Sequence, residues 1–242
     1  MHRKRLFSLR ALSNFLKIWC GVLLLGCLWS AAALGQNHYR MRADFTIKEK
    51  NADSTSSLVM GTVYYDKFEK RIVYQVNFPQ AETWVHADTS VYRLVDGQVQ
   101  DRQSLPNIIE FTMFHLALNQ NLTDFGMKNS VFKIGEVRRV GDQVLTTWSP
   151  PAKLAKQFGE VVVAQNNKQL AGLAVYNPDG ELLSRQVVKK HLRAGNFSFP
   201  GQIVQVTDLE DGRKQYRITT FRNLVVNEEA HDDVYRAAGL AP

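Results

Sequence analysis

The chain has 242 residues and a formal net charge of +7. The first 35 residues hold five Lys/Arg and no Asp or Glu, so the remainder has 25 basic and 23 acidic residues, a net charge of only +2. We therefore expect no nucleic-acid partner, although the overall pI is basic. Both cysteines, Cys20 and Cys27, lie in those 35 residues, so we expect no disulfide in the rest of the chain.

The N-terminus has the pattern of a secretory signal. Basic residues in MHRKRLFSLR precede an apolar run, Ile18–Leu28, and a small-residue segment that ends at Gly35. A basic region, a short apolar region and small residues, in this order, are typical of a cleaved export signal. The apolar run is also shorter than the roughly 20 residues that span a bilayer. We predict cleavage after Gly35, with Gln36 as the first residue of the exported protein.

Two alternatives stay open for this segment. Read to Leu34, the apolar run reaches 17 residues, the lower limit for an uncleaved membrane anchor. The tetrapeptide Leu24–Cys27 also resembles a lipobox, in which Cys27 would be acylated and would become the new N-terminus. Against the lipobox, Leu25 is larger than that motif favours, and the residues after Cys27 are still apolar.

Residues 36–242 are predicted to form one domain of many short strands. Turn sequences such as Asp96-Gly97 and Asp211-Gly212 separate the runs. Regular spacing of this kind favours one continuous antiparallel sheet, in a barrel or a sandwich, over a parallel α/β sheet. The predicted strands are Tyr39–Lys48, Leu58–Tyr65, Arg71–Phe78, Thr83–Ala87, Val91–Leu94, Val131–Arg139, Gln143–Trp148, Glu160–Ala164, Gln169–Tyr176, Leu182–Leu192, Gln202–Thr207 and Gln215–Val226.

The segment Arg71–Phe78 shows the strand pattern most clearly. Apolar and polar residues alternate along it, and Val73 is the exception on the polar side. A period of two indicates a strand with one face in the core and the other in solvent. The residues predicted on the apolar face are Ile72, Tyr74, Val76 and Phe78.

One segment, Leu105–Leu122, lacks the strand alternation. Asn107, followed three residues later by Glu110, resembles a capping box, so we predict a helix over 107–120. Apolar residues lie on most sides of this helix, which must then be covered from several directions. The helix either packs across the open face of a curved sheet or serves as a lid over an apolar cavity. A last helical turn is predicted at 231–238.

No arrangement of residues predicts catalysis or a metal site. The sequence has no nucleophile elbow, zinc-protease motif, P-loop or dinucleotide-binding motif. Ser130 and Lys133 fit a serine–lysine pair, but the motifs that accompany such a pair are missing. His86–Asp88 and His231–Asp233 come closest to metal ligands, and neither has a second histidine four residues on. We therefore predict that the protein is not an enzyme and uses no cofactor or metal.

Aromatic residues are more frequent than the core of a small sandwich needs, with 13 Phe, 8 Tyr and 4 Trp. Most of these side chains are ordinary core residues. Curved sheets with large apolar interiors also hold acyl chains. Burial contributes about 0.8 kcal/mol per methylene, so such an interior would bind lipid without any catalytic group.

Three stretches of the chain have a distinctive order of strands and turns. Gly61–Gly97 has a hydrophobic strand, a basic turn, an aromatic strand that ends in Pro79, and a strand pair that leads to an Asp-Gly turn. Lys168–Val188 is a hairpin of two hydrophobic strands, and Tyr216–Tyr235 is a strand followed by an acidic turn and an aromatic residue. Together these stretches resemble the LolA/LolB family of lipoprotein carriers over most of residues 39–236.

The resemblance implies an unclosed antiparallel half-barrel with a helical lid over an apolar concave face. The helix at 107–120 would be the lid. Carriers of this family take acyl chains of lipoproteins from an inner-membrane exporter and pass them to an outer-membrane acceptor. The resemblance thus implies a monomeric carrier in the periplasm, with a lipoprotein or another lipid as cargo. The residues expected to line the cavity and the lid are Tyr74, Val76, Phe78, Trp84, Tyr92, Ile109, Met113, Phe114 and Leu118.

The chain departs from the family pattern at one basic position. The carriers place an arginine at the beginning of the aromatic strand, where it helps to govern closure of the lid. Counting back from Pro79, that position falls on Phe68 in this chain. A slip of one residue or a bulge would place Lys70 or Arg71 in this role, so both are candidate contacts of the lid or the ligand.

Two other functions stay open on the same fold. A regulatory or sensor binding module of the cell envelope would use a similar domain. Such sensors normally carry a second domain, for which the residues after Val226 are too few, so we expect the carrier instead. A lipid-anchored LolB-like acceptor would require the acylation of Cys27.

Overall fold

The structure is a computed structural model, and it describes residues 38–104, 109–209 and 211–237. The predicted signal, with Cys20 and Cys27, lies outside the described residues. The chain from His38 onwards forms one compact unit. Within the described ranges, no helix combines the length and the apolar character that crossing a bilayer requires.

Thirteen strands and two short α-helices make up the described chain. The helices are α1 (Met113–Leu118) and α2 (Asp232–Arg236), and 3-10 turns occupy Ile109–Phe111 and Met127–Asn129. The strands are β1 (Arg40–Lys50), β2 (Ser56–Asp66), β3 (Arg71–Phe78), β4 (Glu82–Ala87), β5 (Ser90–Val95), β6 (Gln98–Ser104), β7 (Lys133–Val140), β8 (Gln143–Ser149), β9 (Val161–Asn166), β10 (Gln169–Tyr176), β11 (Leu182–Ala194), β12 (Phe197–Asp208) and β13 (Lys214–Val226).

All thirteen strands form one antiparallel sheet in the order β6-β5-β4-β3-β2-β1-β13-β12-β11-β10-β9-β8-β7. The two halves of the chain are successive hairpins, and they meet where β1 pairs with β13, with Phe45 opposite Phe221. Strands β6 and β7 are the two edges and do not pair with each other in the part of the chain that the structure describes. The predicted continuous antiparallel sheet and unclosed half-barrel are therefore confirmed.

Two strands differ from the prediction. Strand β6 has the sequence QVQDRQS and is exposed along its whole length, so its pairing with β5 depends on the backbone and leaves no apolar pattern in the sequence. Strand β12 begins at Phe197, before Pro200 and Gly201, which interrupt the strand pattern in the sequence. Pro200 is tolerated because it lies beside a register irregularity in β11 next to His191. Helix α2 falls within the predicted 231–238.

The two faces of the sheet carry separate apolar clusters. We call the face that α1 covers the concave face and the opposite face the convex face. On β3, Ile72 and Val76 belong to the concave cluster, whereas Val73 belongs to the convex cluster. The buried Tyr235 of α2 packs in the same convex cluster. Val73 breaks the alternation in the sequence because α2 covers the convex face at that point.

The concave cluster extends over both halves of the sheet. Its buried members at the centre are Met41, Ala43, Phe45, Val63, Tyr65, Ile72, Val76, Ile109, Phe114, Ala117, Leu118, Phe197, Phe199, Ile203 and Phe221. A further buried group lies on β8–β10 and consists of Trp148, Val163, Leu170 and Leu173, with Leu122 and Phe125 packed against it. Burial of apolar area on this scale stabilises a sheet that has no disulfide among its described residues.

A buried ion pair fixes the C-terminal helix to the start of the sheet. Arg40 on β1 donates from Nε to Asp66 on β2 at 2.5 Å and from Nη2 to Asp232 on α2 at 2.6 Å. The guanidinium also lies 4.7 Å from the centre of the Tyr235 ring. These contacts hold α2 against the convex face, and Arg40 is the residue that joins them.

Candidate functional site

The segment over the concave face is a broken helix rather than a continuous one. A 3-10 turn at Ile109–Phe111 precedes α1, and Thr112 between them has extended backbone. The Thr112 hydroxyl accepts a hydrogen bond from the His115 amide at 3.4 Å and so caps α1. The predicted helix over 107–120 is thus shorter, because Thr112 supplies the cap. Asn107, the cap expected from the sequence, lies outside the described residues.

Phe114 anchors α1 to the sheet. Its ring lies 5.6 Å from the ring of Phe199 in a stacked arrangement, and 5.9 Å from that of Phe221 in a T-shaped one. It is 4 % exposed, and Leu116, Ala117 and Leu118 are buried with it. Aromatic pairs of this kind typically contribute about 0.5–1.5 kcal/mol beyond their buried area. A helix of six residues is not stable alone, so α1 depends on this packing.

A cavity of ≈ 450 Å³ lies between α1 and the concave face. Phe45, Ile47 and Phe221 contribute apolar side chains from the centre of the sheet, and Phe111 and Met113 contribute them from the covering segment. The full lining is Phe45, Ile47, Tyr74, Phe111, Thr112, Met113, Phe114, Phe125, Gln186, Ile203, Gln205, Arg217, Thr219 and Phe221. The cavity is therefore mostly apolar and aromatic, with a few polar groups.

The structure brings seven of the nine predicted cavity and lid residues together. They all belong to the concave cluster or pack against it, and they are Tyr74, Val76, Trp84, Ile109, Met113, Phe114 and Leu118. Three of these, Tyr74, Met113 and Phe114, line the cavity directly. The other four lie in the concave cluster or against it and do not line the cavity.

The remaining two predicted residues lie elsewhere. Tyr92 packs against the convex cluster, because its position on β5 lies opposite Val85, which faces α2. Phe78 is 42 % exposed at the end of β3, beyond the bulge between Met60 and Gly61. Neither residue lines the cavity.

The two basic candidates, Lys70 and Arg71, contact segments on opposite faces of the sheet. Lys70 donates from Nζ to Glu110 at 2.6 Å, which joins the β2–β3 turn to the covering segment. Arg71 instead donates to the backbone carbonyl of Arg236 in α2. Phe68, at the position where the family pattern has an arginine, is 77 % exposed. Among positions 68, 70 and 71, the residue that contacts the covering segment through a basic side chain is therefore Lys70.

A second polar contact joins α1 to the sheet. The Tyr65 hydroxyl on β2 lies 2.6 Å from Nδ1 of His115 on α1. Burial lowers the pKa of His115 and raises the pKa of Tyr65, so both side chains are neutral at pH 7. On β4, burial also lowers the pKa of His86, whose ring lies 5.8 Å from that of Tyr74.

Several cavity residues were not identified from the sequence. Phe45 and Ile47 on β1 and Arg217, Thr219 and Phe221 on β13 are separated by about 170 positions, and only the β1–β13 pairing brings them together. Their alternation along each strand was a usable signal, because residues two apart share a face. The sequence did not indicate which face of these strands would be concave.

A larger groove of ≈ 650 Å³ lies beside Phe158 and the turn at 177–180. Its lining includes Glu136, Arg138, Glu160 and Asp179, so it is more polar than the cavity under α1. No group of three or more His, Cys, Asp or Glu that could hold a metal ion occurs among the described residues. The cavity under α1 is the better candidate for an apolar ligand.

Comparison with known proteins gives structural neighbours alone. No protein-family model and no curated protein matches the sequence. A LolA superfamily protein from Nitrosomonas europaea is 11 % identical, with a TM-score of 0.54, over 81 % of this chain and 90 % of the other. A putative outer membrane lipoprotein-sorting protein domain from Vibrio parahaemolyticus is also 11 % identical, with a TM-score of 0.57, over 83 % of this chain and 91 % of the other.

A third neighbour is a DUF1329 family protein from Desulfovibrio piger. It is 11 % identical, with a TM-score of 0.60, over 85 % of this chain and 93 % of the other. At such identities the likeness concerns the fold. The chain has a LolA-like fold, as its sequence resemblance predicted.

Proposed function

We propose that the protein is a periplasmic carrier that binds acyl chains of lipoproteins or other lipids and passes them towards the outer membrane. The observation that carries the proposal is the apolar cavity of ≈ 450 Å³ under α1. Small-molecule sites in proteins are typically about 300–1,000 Å³ and largely apolar. The LolA-like fold, shared with a lipoprotein-sorting domain, supports the class of cargo.

Burial of an acyl chain supplies the driving force. Each methylene contributes about 0.8 kcal/mol, so about ten methylenes would contribute about 8 kcal/mol. Association costs about 4 kcal/mol or more in lost freedom of motion. The net gain for one such chain is then about 4 kcal/mol or less, a weak affinity that suits a protein that must release its cargo.

In this proposal, entry of the chain moves α1. Phe114 occupies the centre of the aromatic cluster, and two polar contacts, Tyr65–His115 and Lys70–Glu110, hold the covering segment at its β2–β3 side. The Lys70–Glu110 pair is about half exposed and so contributes little to stability. We propose that α1 is a lid that opens as a unit when the acyl chain displaces Phe114.

The remaining parts of the proposal come from the sequence, through its signal pattern, its lack of cofactor motifs and its family resemblance. The cleavage of residues 1–35 would release the protein into the periplasm. An inner-membrane exporter would supply the cargo, and an outer-membrane acceptor would receive it. The carrier would act as a monomer, without a cofactor.

Mass spectrometry of the protein isolated from its native envelope tests this proposal. We expect a denatured mass that begins at Gln36 and additional lipid or lipoprotein mass under native conditions. A mass that begins at an acylated Cys27 would contradict a soluble carrier and favour the acceptor. A bare mature mass under both conditions would contradict the carrier and favour a regulatory module.

A lid variant tests the site itself. Met113 lines the cavity and is half-buried, so Met113→Glu places a charge beside the acyl chain without filling the core. Phe114 and Leu118 are less suitable because a charge at either buried position would destabilise the fold. Phe158→Glu, at an exposed residue outside the cavity, is the control. Equal lipid capture by wild type and Met113→Glu would contradict the lid assignment.

A further inference from the structure

A row of polar residues crosses the concave face at one border of the cavity. Arg217 on β13 lies opposite Gln205 on β12, and Gln205 lies opposite Gln186 on β11. Neighbouring strands lie about 4.8 Å apart, so these three side chains, here called the polar row, are adjacent. All three line the cavity.

The polar row borders the apolar part of the same cavity. Along β13, Thr219 is two residues from Arg217, and Phe221 is two residues further on. All three lie on the concave face. On β12, Ile203 is two residues from Gln205. The cavity therefore changes from polar to apolar along the strands within a few residues, as a site for an amphiphile requires.

The cavity borders an ion pair at the end of the polar row, because Glu49 on β1 lies opposite Arg217 on the same face. Arg217 is the one charged residue among the described residues that line it. Its Nε donates to Glu49 on β1, which does not line this cavity. A guanidinium has five N–H donors, so its terminal nitrogens remain available. The Arg217 side chain is 48 % exposed, and ion pairs at such positions contribute about 0–1 kcal/mol. An incoming anion can therefore share or displace Glu49.

The neighbouring groups are also donors. The side-chain amide of Gln186 makes no hydrogen bond to any described residue, and the side-chain amide of Gln205 donates weakly to Ser184 and Thr207 at 3.4 and 3.3 Å. The Tyr74 hydroxyl, which burial keeps protonated by raising its pKa, has no hydrogen-bond partner among the described residues. The cavity thus offers donors from Arg217, Gln186 and Tyr74.

We propose that the polar row holds the acidic head, a carboxylate or a phosphate, of the amphiphile whose acyl chain fills the apolar part. This inference rests on the proposed function and narrows its cargo to acidic lipids. The planar guanidinium of Arg217 matches either head with paired hydrogen bonds, and amides of the polar row complete the contact. A cationic head would meet Arg217, which lines the cavity, before Glu49, which does not, so we expect it to bind more weakly than an acidic head.

Calorimetric titration with amphiphiles of one chain length tests the inference. The purified, lipid-free protein is titrated with dodecanoate, dodecyl phosphate and dodecyltrimethylammonium, each below its micelle concentration. We expect the two anions to bind about tenfold more tightly than the cation, as for a hydrogen bond to a charged group. The preference should shrink at high salt, which screens the partly exposed Arg217. The ratio of the affinities for dodecanoate and dodecyl phosphate shows which acidic head the site prefers.

Two variants and one control assign the preference to Arg217. Arg217→Met should remove the preference for anions, and the cation should bind as tightly as before or more tightly because Glu49 loses its partner. Arg217→Lys should keep part of the preference. Arg222→Met is the control, because Arg222 is exposed on the same strand and does not line the cavity. Circular dichroism of each variant confirms that the sheet is folded.

The outcomes separate this inference from the proposed function. If all three amphiphiles bind alike, or if Arg217→Met keeps the full preference, the acidic-head inference is overturned while acyl-chain binding stands. If the wild type binds none of them, the proposed function fails as well. If both Arg217 variants misfold, the salt dependence of the wild type tests the inference instead. An anion preference that does not change with salt would overturn it.

Discussion

The Tyr65 hydroxyl lies 2.6 Å from Nδ1 of His115, and this hydrogen bond joins strand β2 to helix α1, the proposed lid. Burial lowers the pKa of His115, an effect that Lys70 and Lys67 reinforce and Glu110 opposes. Helix α1 therefore packs with a neutral imidazole, and protonation of His115 works against the closed arrangement.

The first prediction is that acid loosens the lid. Because the folded-state pKa of His115 is below the ordinary value of about 6.5, its contribution is complete above about pH 6.5. That contribution is lost as the pH falls through the lower folded-state pKa. We expect the α1 amides to exchange hydrogen faster at about pH 5 than at about pH 7.5, after correction for the intrinsic rates.

The variant His115→Gln is the control for this prediction. It removes the titrating group, so exchange in α1 should lose its pH dependence. Exchange must be read segment by segment, because His86 on β4 also has a pKa lowered by burial. An unchanged pH dependence of the α1 amides in His115→Gln would contradict the assignment.

The second prediction separates the two acidic partners of Arg40. Asp66 is buried, and Asp232 is about half exposed. Asp66→Ala leaves a buried guanidinium without its nearest partner and removes two hydrogen bonds to the amides of Phe68 and Glu69. We expect it to lower the free energy of unfolding by about 3–5 kcal/mol. Asp232→Ala should cost about 0–1 kcal/mol.

Urea denaturation measures both variants. Removal of the Asp66 carboxylate also weakens the contact of α2 through Arg40. The backbone amides of Val73 and Tyr235 should therefore exchange hydrogen faster in that variant. Equal losses of stability for the two variants would show that burial does not distinguish the two pairs.

The third prediction concerns Gly61. A Cβ atom at this position would lie 2.0 Å from the backbone oxygen of Gln75 on β3, at the bulge between Met60 and Gly61. Backbone atoms in a paired strand cannot move aside, so Gly61→Ala should cost about 1–3 kcal/mol or more. The control is Gly135→Ala, where the nearest atom is the rotatable Ser149 hydroxyl at 3.3 Å. Thermal unfolding should place Gly135→Ala within about 0.5 kcal/mol of wild type.

The fourth prediction concerns the aromatic anchor of the lid. Phe114→Ala removes a buried ring that contacts Phe199 and Phe221, so we expect a loss of about 3–5 kcal/mol. The control Phe158→Ala removes a ring that is 50 % exposed and should change the stability far less. Urea denaturation checks both. A Phe114→Ala variant as stable as Phe158→Ala would indicate that α1 is not packed as described.

The strands of this protein show where sequence reading succeeds and where it stops. The alternation in β3 placed Ile72, Tyr74 and Val76 on the concave side, and the structure agrees. Strand β5 carries apolar residues on both faces, with Val91 and Leu94 both buried, so its pattern could not tell that Tyr92 faces α2. Strand β6 has almost no apolar residues and was not predicted, because backbone pairing at a sheet edge needs none.

The lid is a similar case. The sequence indicated an apolar helix, and the structure places Phe114 and Leu118 in the concave cluster. The N-terminus of α1 was predicted too early, because a serine, threonine or asparagine at several positions can cap a helix. Thr112 serves as the cap because the preceding 3-10 turn packs Ile109 into the core.

The sequence alone determined the type of sheet, most of its strands and the presence of an apolar covering segment. These properties depend on local periodicity and turn residues, which a single sequence displays. The tertiary structure decided that Lys70 rather than Arg71 contacts the covering segment, and that Arg217, Gln205 and Gln186 share one row. Such neighbours follow from register and from which face curves inwards. Both are fixed by pairing between distant strands, of which β1 with β13 is the central case.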